Sequence, residues 1–418
     1  MSEGAKQMLV YADWEPFPQP TQMGTLSSLL LRGKEVFSFE YDKNWLNQNA
    51  IQILDPDLQF YAGPQHLRSE KINFGLFLDS SPDRWGRLVI KRREAALARK
   101  EGRKENRLQE TDFLLGVYDQ HRMGGIRFKT NEDGPFLNDN KEMAAPPFSS
   151  LRELQHASSV IENEDITAPD YLKWINLLIA PGSSLGGARP KASVIDPQEQ
   201  LWIAKFPSKY DDKDIGAWEK VAHDLAVAAG INMSKAILMK FNSRHHTFLA
   251  KRFDRSMDKR IHFASAMTML GLNDGADHHD GVSYLHLAEF IIRNGAHVDR
   301  DLEELWRRIV FNICISNTDD HLRNHGFLLT QTGWALSPAY DLNPNETGFG
   351  LKLNISENDN ALDIDLAMQV IPYFRISEAR AKEIITTVHD AVQNWREVAT
   401  NCKISRNEQI IMEGAFHS

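Results

Sequence analysis

Cysteine is almost absent from this chain: only Cys314 and Cys402 occur in 418 residues, far apart and at no metal-binding spacing. Such sparing use favours a reducing compartment over a disulfide scaffold. Long apolar runs are missing as well. No window approaches the roughly 18 uninterrupted apolar residues of a membrane span. Met8-Leu9-Val10-Tyr11 is too short for the apolar core of a secretory signal. A cytoplasmic protein with no membrane partner is expected. There is no internal repeat and no extended low-complexity tract. Nor is there an excess of positive charge: 48 Lys and Arg stand against 57 Asp and Glu, a net charge of −9. That argues against indiscriminate nucleic-acid binding by the whole molecule and leaves room only for a local basic patch.

What is present is enough chain for two or three domains, each with its own core. The first 45 residues carry β-prone segments at 8–11, 24–31 and 35–41, the last two joined by the turn Arg32-Gly33-Lys34. Asp83 is placed to cap a helix that the pattern extends to Arg107. Residues 124–128 read as a strand, and the Asn, Asp, Gly and Pro content of 130–147 marks a boundary. A helix follows at 149–161. Residues 191–195 and 201–206 flank a turn and predict a hairpin. An amphipathic helix over 218–229 ends at Gly230, a suitable residue beyond a helix C-cap. Residues 236–241 and 247–253 form a second strand pair. From residue 284 onward helices dominate, at 284–294, 302–317 and 378–398. Cys314 falls in an apolar run and reads as core.

The chemistry concentrates in Asn317-Thr318-Asp319-Asp320-His321-Leu322-Arg323-Asn324 and in Asp341, 17 residues beyond Asn324. An Asp, an Asn five positions later and a further Asp after a short strand pair form the layout of a phosphotransferase site. The first Asp serves the attacking hydroxyl; the Asn and second Asp hold a metal on nucleotide phosphates. Hard Mg²⁺ suits that set, because it needs few protein oxygens and leaves its remaining positions to phosphate and water. The segments 325–329 and 334–336 flank a turn over 330–333, and this hairpin would return Asp341 to Asn324.

Upstream, Gly182-Ser183-Ser184-Leu185-Gly186-Gly187-Ala188-Arg189-Pro190-Lys191 is small enough to bring backbone N–H groups to phosphate oxygens. It is not a Walker loop, since no Gly-Lys-Ser/Thr leads into a helix. A plain Gly-rich hairpin turn is the other reading. Lys205 stands mid-strand, where it could meet phosphates with Glu219 on the next helix orienting it. An edge-strand lysine facing water is the alternative. A rival site also exists on paper: Asp319, Asp320, His321 and His325, with His278, His279 and Asp280, as the ligands of a metal phosphohydrolase. It leaves the glycine loop, Lys205, Asn324 and Asp341 without a role.

With these residues in view the chain resembles the HipA family of serine/threonine kinases, the toxins of HipBA-type toxin–antitoxin modules. Phe74-Gly75-Leu76-Phe77-Leu78-Asp79-Ser80-Ser81-Pro82-Asp83-Arg84-Trp85-Gly86-Arg87, the Ser184-to-Lys191 loop, Asp319-Asp320-His321-Leu322-Arg323-Asn324 and Ala339-Tyr340-Asp341 carry the resemblance. It implies an α+β fold of protein-kinase type. An N-terminal β-containing subdomain (1–147) would precede a small β-rich lobe with the glycine loop (148–260) and a mostly helical lobe with the catalytic and metal motifs (261–418).

The resemblance further implies Asp319 as catalytic base, Asn324 and Asp341 as Mg²⁺ ligands, and ATP phosphates bound by Lys205, oriented by Glu219, and by the backbone of Gly186, Gly187, Ala188, Arg189, Pro190 and Lys191. Lys251, Arg252 and Phe253 would serve as the hinge against adenine. Lys251 departs from the acidic residue known in a family member, although a hinge works largely through its backbone. Arg323 and Tyr340 would lie at the nucleotide, and His321 would hold the loop's shape. Ser184, with Ser183 as fallback, matches the serine whose autophosphorylation ejects the glycine loop, for a phosphate there adds nearly two negative charges. The implied partners are a protein substrate such as an aminoacyl-tRNA synthetase, a helix-turn-helix antitoxin and, through it, operator DNA. A kinase-fold corepressor scaffold remains the alternative. The basic run of Arg84, Arg87, Lys91, Arg92, Arg93, Arg99, Lys100, Arg103, Lys104 and Arg107 reads as a solvated helix face, or as a surface for that partner or DNA.

Overall fold

The computed structural model describes residues 5–47, 52–67, 71–163, 170–178, 189–256 and 259–417. The chain is α+β and divides into two compact units, Met1–Ala204 with Asp254–Asn273, and Lys205–Phe253 with Asp274–Ser418. These cuts fall elsewhere than at 147 and 260, the expected domain boundaries.

The first unit is built on an antiparallel sheet in the order Gln65–His66, Lys34–Tyr41, Thr21–Leu31, Lys6–Ala12, Ile126–Lys129. Alternation sets its buried face: Met8 pairs with Leu26 and Leu26 with Phe39, while Val10 pairs with Phe128, and all five are core residues. The helix Arg84–Lys100 starts where expected, with the Asp83 side chain accepting from the Gly86 N–H at 2.8 Å. It stops seven residues before Arg107. Gly102 adopts φ +63°, Arg103 N–H donates to the Ala98 carbonyl and Gly102 N–H to Arg99, a Schellman ending. The run of basic residues past Lys100 hides that stop from a composition-based reading.

The motif from Phe74 to Arg87 is structural here. Asp79 accepts from both the N–H and the hydroxyl of Ser265 at 2.7 Å. Asp83 pairs with Lys191 at 2.5 Å with both side chains buried, and the Trp85 indole N–H donates to the Lys191 carbonyl at 3.0 Å. Part of the basic run is engaged by neighbouring groups: Arg87 makes a bidentate pair with Glu110, Arg93 donates to Asn176, and Arg103 pairs with Glu94.

In the second unit Ile215–Ala228 is capped by Asp214, which accepts from Ala217, and ends at Gly230 in a second Schellman turn (Ile231 N–H to Ala226, Gly230 N–H to Val227). The expected start at 218 is late by one turn, because Asp211-Asp212-Lys213-Asp214 reads as loop although Asp214 is an N-cap. The strands Ala236–Met239 and Thr247–Lys251 pair antiparallel. Tyr284–Asn294 and Val298–Cys314 form the buried helical centre, with Cys314 in the core. The hairpin Gly326–Thr330 and Gly333–Leu336 closes at Thr330 opposite Gly333. The expected helix over 378–398 divides at Asn394 into Glu378–Gln393 and Trp395–Asn401. Among the described residues no helix is long and apolar enough to cross a membrane.

Candidate active site

Lys205 ends the strand Leu201–Lys205, and its ammonium sits between two carboxylates, 2.6 Å from Glu219 on the Ile215–Ala228 helix and 2.6 Å from Asp341. Burial alone would lower its pKa. The charges of Asp341 and Glu219 and their hydrogen bonds outweigh that and hold it above the ordinary lysine value. The alternative of an edge lysine in water does not hold: the side chain is only 12% exposed.

Asp341 itself has φ +59°, a conformation rarely held by a residue with a Cβ. The hairpin and Tyr340 bring it back to the loop at 317–324. Tyr340 donates its hydroxyl to the Arg323 carbonyl at 2.8 Å, so the residues preceding Asp341 and Asn324 are tied directly. Phe253 lies against the Tyr340 ring with centroids 5.6 Å apart. Tyr340→Phe should keep that ring contact and lose one hydrogen bond, costing about 1 kcal/mol. Amide exchange in 322–325 is expected to accelerate about fivefold, and an unchanged rate would contradict the tie.

The loop presents Asp319 and Asn324 differently. Asp319 is exposed, and only its carbonyl is engaged, accepting from the His321 N–H at 2.9 Å and from Asn324 Nδ2 at 3.1 Å. With Nδ2 so fixed, Asn324 Oδ1 is buried and has no hydrogen-bond partner among the described residues. A buried amide oxygen without a donor is costly in a protein and suits a hard cation. The Asp341 carboxylate, which accepts from Lys205, is the other oxygen donor of the expected Mg²⁺ set.

Asp320 faces inward. Its Oδ2 accepts from Tyr284 Oη at 2.6 Å, Asn312 Nδ2 at 2.8 Å and His325 Nε2 at 2.8 Å, and all four residues are buried. Burial opposes ionisation, yet the field and hydrogen bond of His325 and the Tyr284 hydroxyl hold the carboxyl below its usual value. The same burial, with the Asp320 charge, pushes the Tyr284 phenol far up.

A profile of the HipA-like C-terminal domain matches residues 183–395, just over half of the sequence. The chain belongs to the HipA-like family. A Haemophilus influenzae protein, named only as a candidate kinase, is 27% identical over 207 residues, which are 43% of this chain and 60% of that protein. The chain thus spans less than two thirds of that relative's length. HipA of Shewanella oneidensis MR-1, solved with HipB and its operator DNA, aligns over 97% of this chain and 94% of its own, at TM-score 0.61 and 16% identity. That likeness establishes the fold, and the α+β reading of the sequence agrees with it.

Within this HipA-like chain, Lys205, Glu219, Asn324, Tyr340, Arg323 and Asp341 come together in one unit. Ser183, Ser184, Gly186, Gly187 and Ala188 lie outside the described residues. The Lys191 side chain is spent on Asp83. Lys251 closes its strand and donates its N–H to the Lys235 carbonyl; Arg252 and Phe253 lie beyond the strand end. His321 does not lock the loop: its Nδ1 is buried without a hydrogen-bond partner among the described residues, and His325 does that work through Asp320. This also undoes the phosphohydrolase reading, since Asp320 and His325 are consumed by each other. Among the described residues, the His, Cys, Asp or Glu ligand atoms that gather in threes belong to Asp277, His278 and His279, where Asp277 already pairs with Lys352. Tyr284, Asn312 and His325 were not identified as loop-holding from the sequence, since no spacing links them to Asp320.

Proposed function

We propose that this chain is an ATP- and Mg²⁺-dependent serine/threonine protein kinase of HipA type, the toxin of a type II toxin–antitoxin pair. The observation that carries the reading is Lys205 held between Glu219 and Asp341 in the unit that also presents exposed Asp319 and the orphaned oxygen of Asn324. Asp319 takes the proton of the attacking hydroxyl. Lys205 supplies fixed positive charge to the nucleotide phosphates, and Glu219 keeps it aimed. Asn324 and Asp341 would hold Mg²⁺, which when bound would offset negative charge on the phosphoryl group. In this reading 148–260 supplies the phosphate loop and hinge, and 261–418 the catalytic loop.

The acceptor is a serine or threonine of a protein, an aminoacyl-tRNA synthetase by family analogy. Ser184 is the autophosphorylation site, with Ser183 as the alternative. A helix-turn-helix antitoxin is the partner, reaching operator DNA on the chain's behalf, as befits a net charge of −9. The Shewanella relative's complex with HipB and operator DNA supports that assignment.

Incubation of the full chain with [γ-³²P]ATP tests the enzyme directly. Label should enter serine in the presence of Mg²⁺ and vanish with EDTA; a chain that binds no nucleotide would sink the reading. Lys205→Met should raise the KM for ATP about tenfold, the loss of ~1.4 kcal/mol of phosphate binding.

A further inference from the structure

A line of hydrogen bonds runs through the second unit from Asp320 to Asp341, and the chemistry above does not use its middle members. Asn312 Nδ2 donates to Asp320 Oδ2 at 2.8 Å. Asn317 Nδ2 donates to Asn312 Oδ1 at 3.0 Å. The Asn343 backbone N–H donates to Asn317 Oδ1 at 3.4 Å, and Asn343 Nδ2 donates to Asp341 Oδ1 at 3.2 Å. That last oxygen also receives the Lys205 ammonium.

The line has a fixed direction. A carboxylate only accepts, so Asp320 forces Asn312 to turn its NH₂ inward. The Asn312 carbonyl then faces Asn317, which must present its own NH₂. The Asn317 carbonyl is left to accept the Asn343 N–H. Asn312, Asn317 and Asp320 are each at most 2% exposed, so water cannot substitute for a missing link. Asp341, at the far end, holds a backbone conformation that persists only when its surroundings fix it.

We propose that Asn317 and Asn343 are positioning residues that set Asp341 as a metal ligand, registering it against the catalytic loop through Asn312 and the buried Asp320. The inference rests on the kinase reading, and it assigns work to two residues outside the catalytic and metal set. Asn343 is half-buried, and Asn343→Ala removes only the link to Asp341. Asn317→Asp keeps the shape of the side chain but cannot donate to Asn312, so it breaks the line one step further back.

The test titrates Mn²⁺ into the full chain with a non-hydrolysable ATP analogue and follows bound metal by electron paramagnetic resonance. Both variants should need about tenfold more Mn²⁺ for half-saturation, while analogue affinity without metal stays within about twofold of wild type. A general loss of structure would weaken both measurements together. Asn343→Ala that takes up Mn²⁺ like wild type overturns the inference, and so does equal weakening with and without metal. A wild-type chain that binds no Mn²⁺ with the analogue overturns the kinase reading beneath it, a result separable from unchanged variants on a competent wild type.

Discussion

Asp319→Asn should lower phosphoryl transfer by about 10²- to 10⁴-fold and leave nucleotide binding in place. The side chain is exposed, and the loop engages it only through its carbonyl, which the variant retains. No packing is lost, and the bond from Asn324 Nδ2 to the Asp319 carbonyl survives, so the placement of Asn324 is kept. What disappears is the one carboxylate in the loop that is free to take a proton. Asp320 cannot replace it, because its Oδ2 already accepts three buried donors. The measurement is [γ-³²P]ATP labelling beside binding of a fluorescent ATP analogue. Labelling that persists at the wild-type rate would show that Asp319 is not the base. Operator binding with the antitoxin, measured on the same variant, separates the two family roles. Retained binding with lost labelling assigns a scaffold function that does not need catalysis; toxicity surviving in the variant would show that growth arrest comes from the scaffold alone.

The features legible in the sequence are those whose causes lie within a few residues. Asp83 caps a helix three residues from the N–H it accepts, and Gly230 ends one because only its own φ must be positive. The hairpin ahead of Asp341 is written in its turn residues, and the Asp–Asn–Asp spacing carries the candidate site. Where several local signals compete, the reading drifts: basic residues conceal the stop at Gly102, and acidic ones conceal the start at Asp214. Illegible are groups joined across distance. Tyr284 lies 36 residues from Asp320, and Lys191 lies 108 from Asp83. No periodicity relates such pairs, so the sequence does not show that the Lys191 side chain pairs with the buried Asp83. The paired acids show the same limit. The five-residue spacing to Asn324 singles out Asp319 over Asp320 as the candidate base. Only burial shows that the other is a structural anion.

That anion carries the second large effect. Asp320→Ala should destabilise the second unit by about 3–5 kcal/mol, because it leaves Tyr284 Oη, Asn312 Nδ2 and His325 Nε2 buried without their acceptor. Asp320→Asn, which keeps an acceptor oxygen, should cost less. The loss is read as hydrogen exchange in the hairpin Gly326–Thr330 and Gly333–Leu336, which begins one residue after His325. Exchange there should accelerate about a hundredfold or more in the alanine variant. The pH dependence follows from the direction of the Asp320 shift. Its folded pKa lies below the unfolded value of about 3.9, so the unfolded chain binds protons first as the solution is acidified. The stabilisation is complete above that unfolded value and is lost as pH falls through the folded one. The gap between wild type and Asp320→Ala should therefore hold steady from about pH 8 down to about pH 5 and narrow below about pH 4. A gap that instead closes well above about pH 5 would show that the Asp320 carboxylate is not the controlling group.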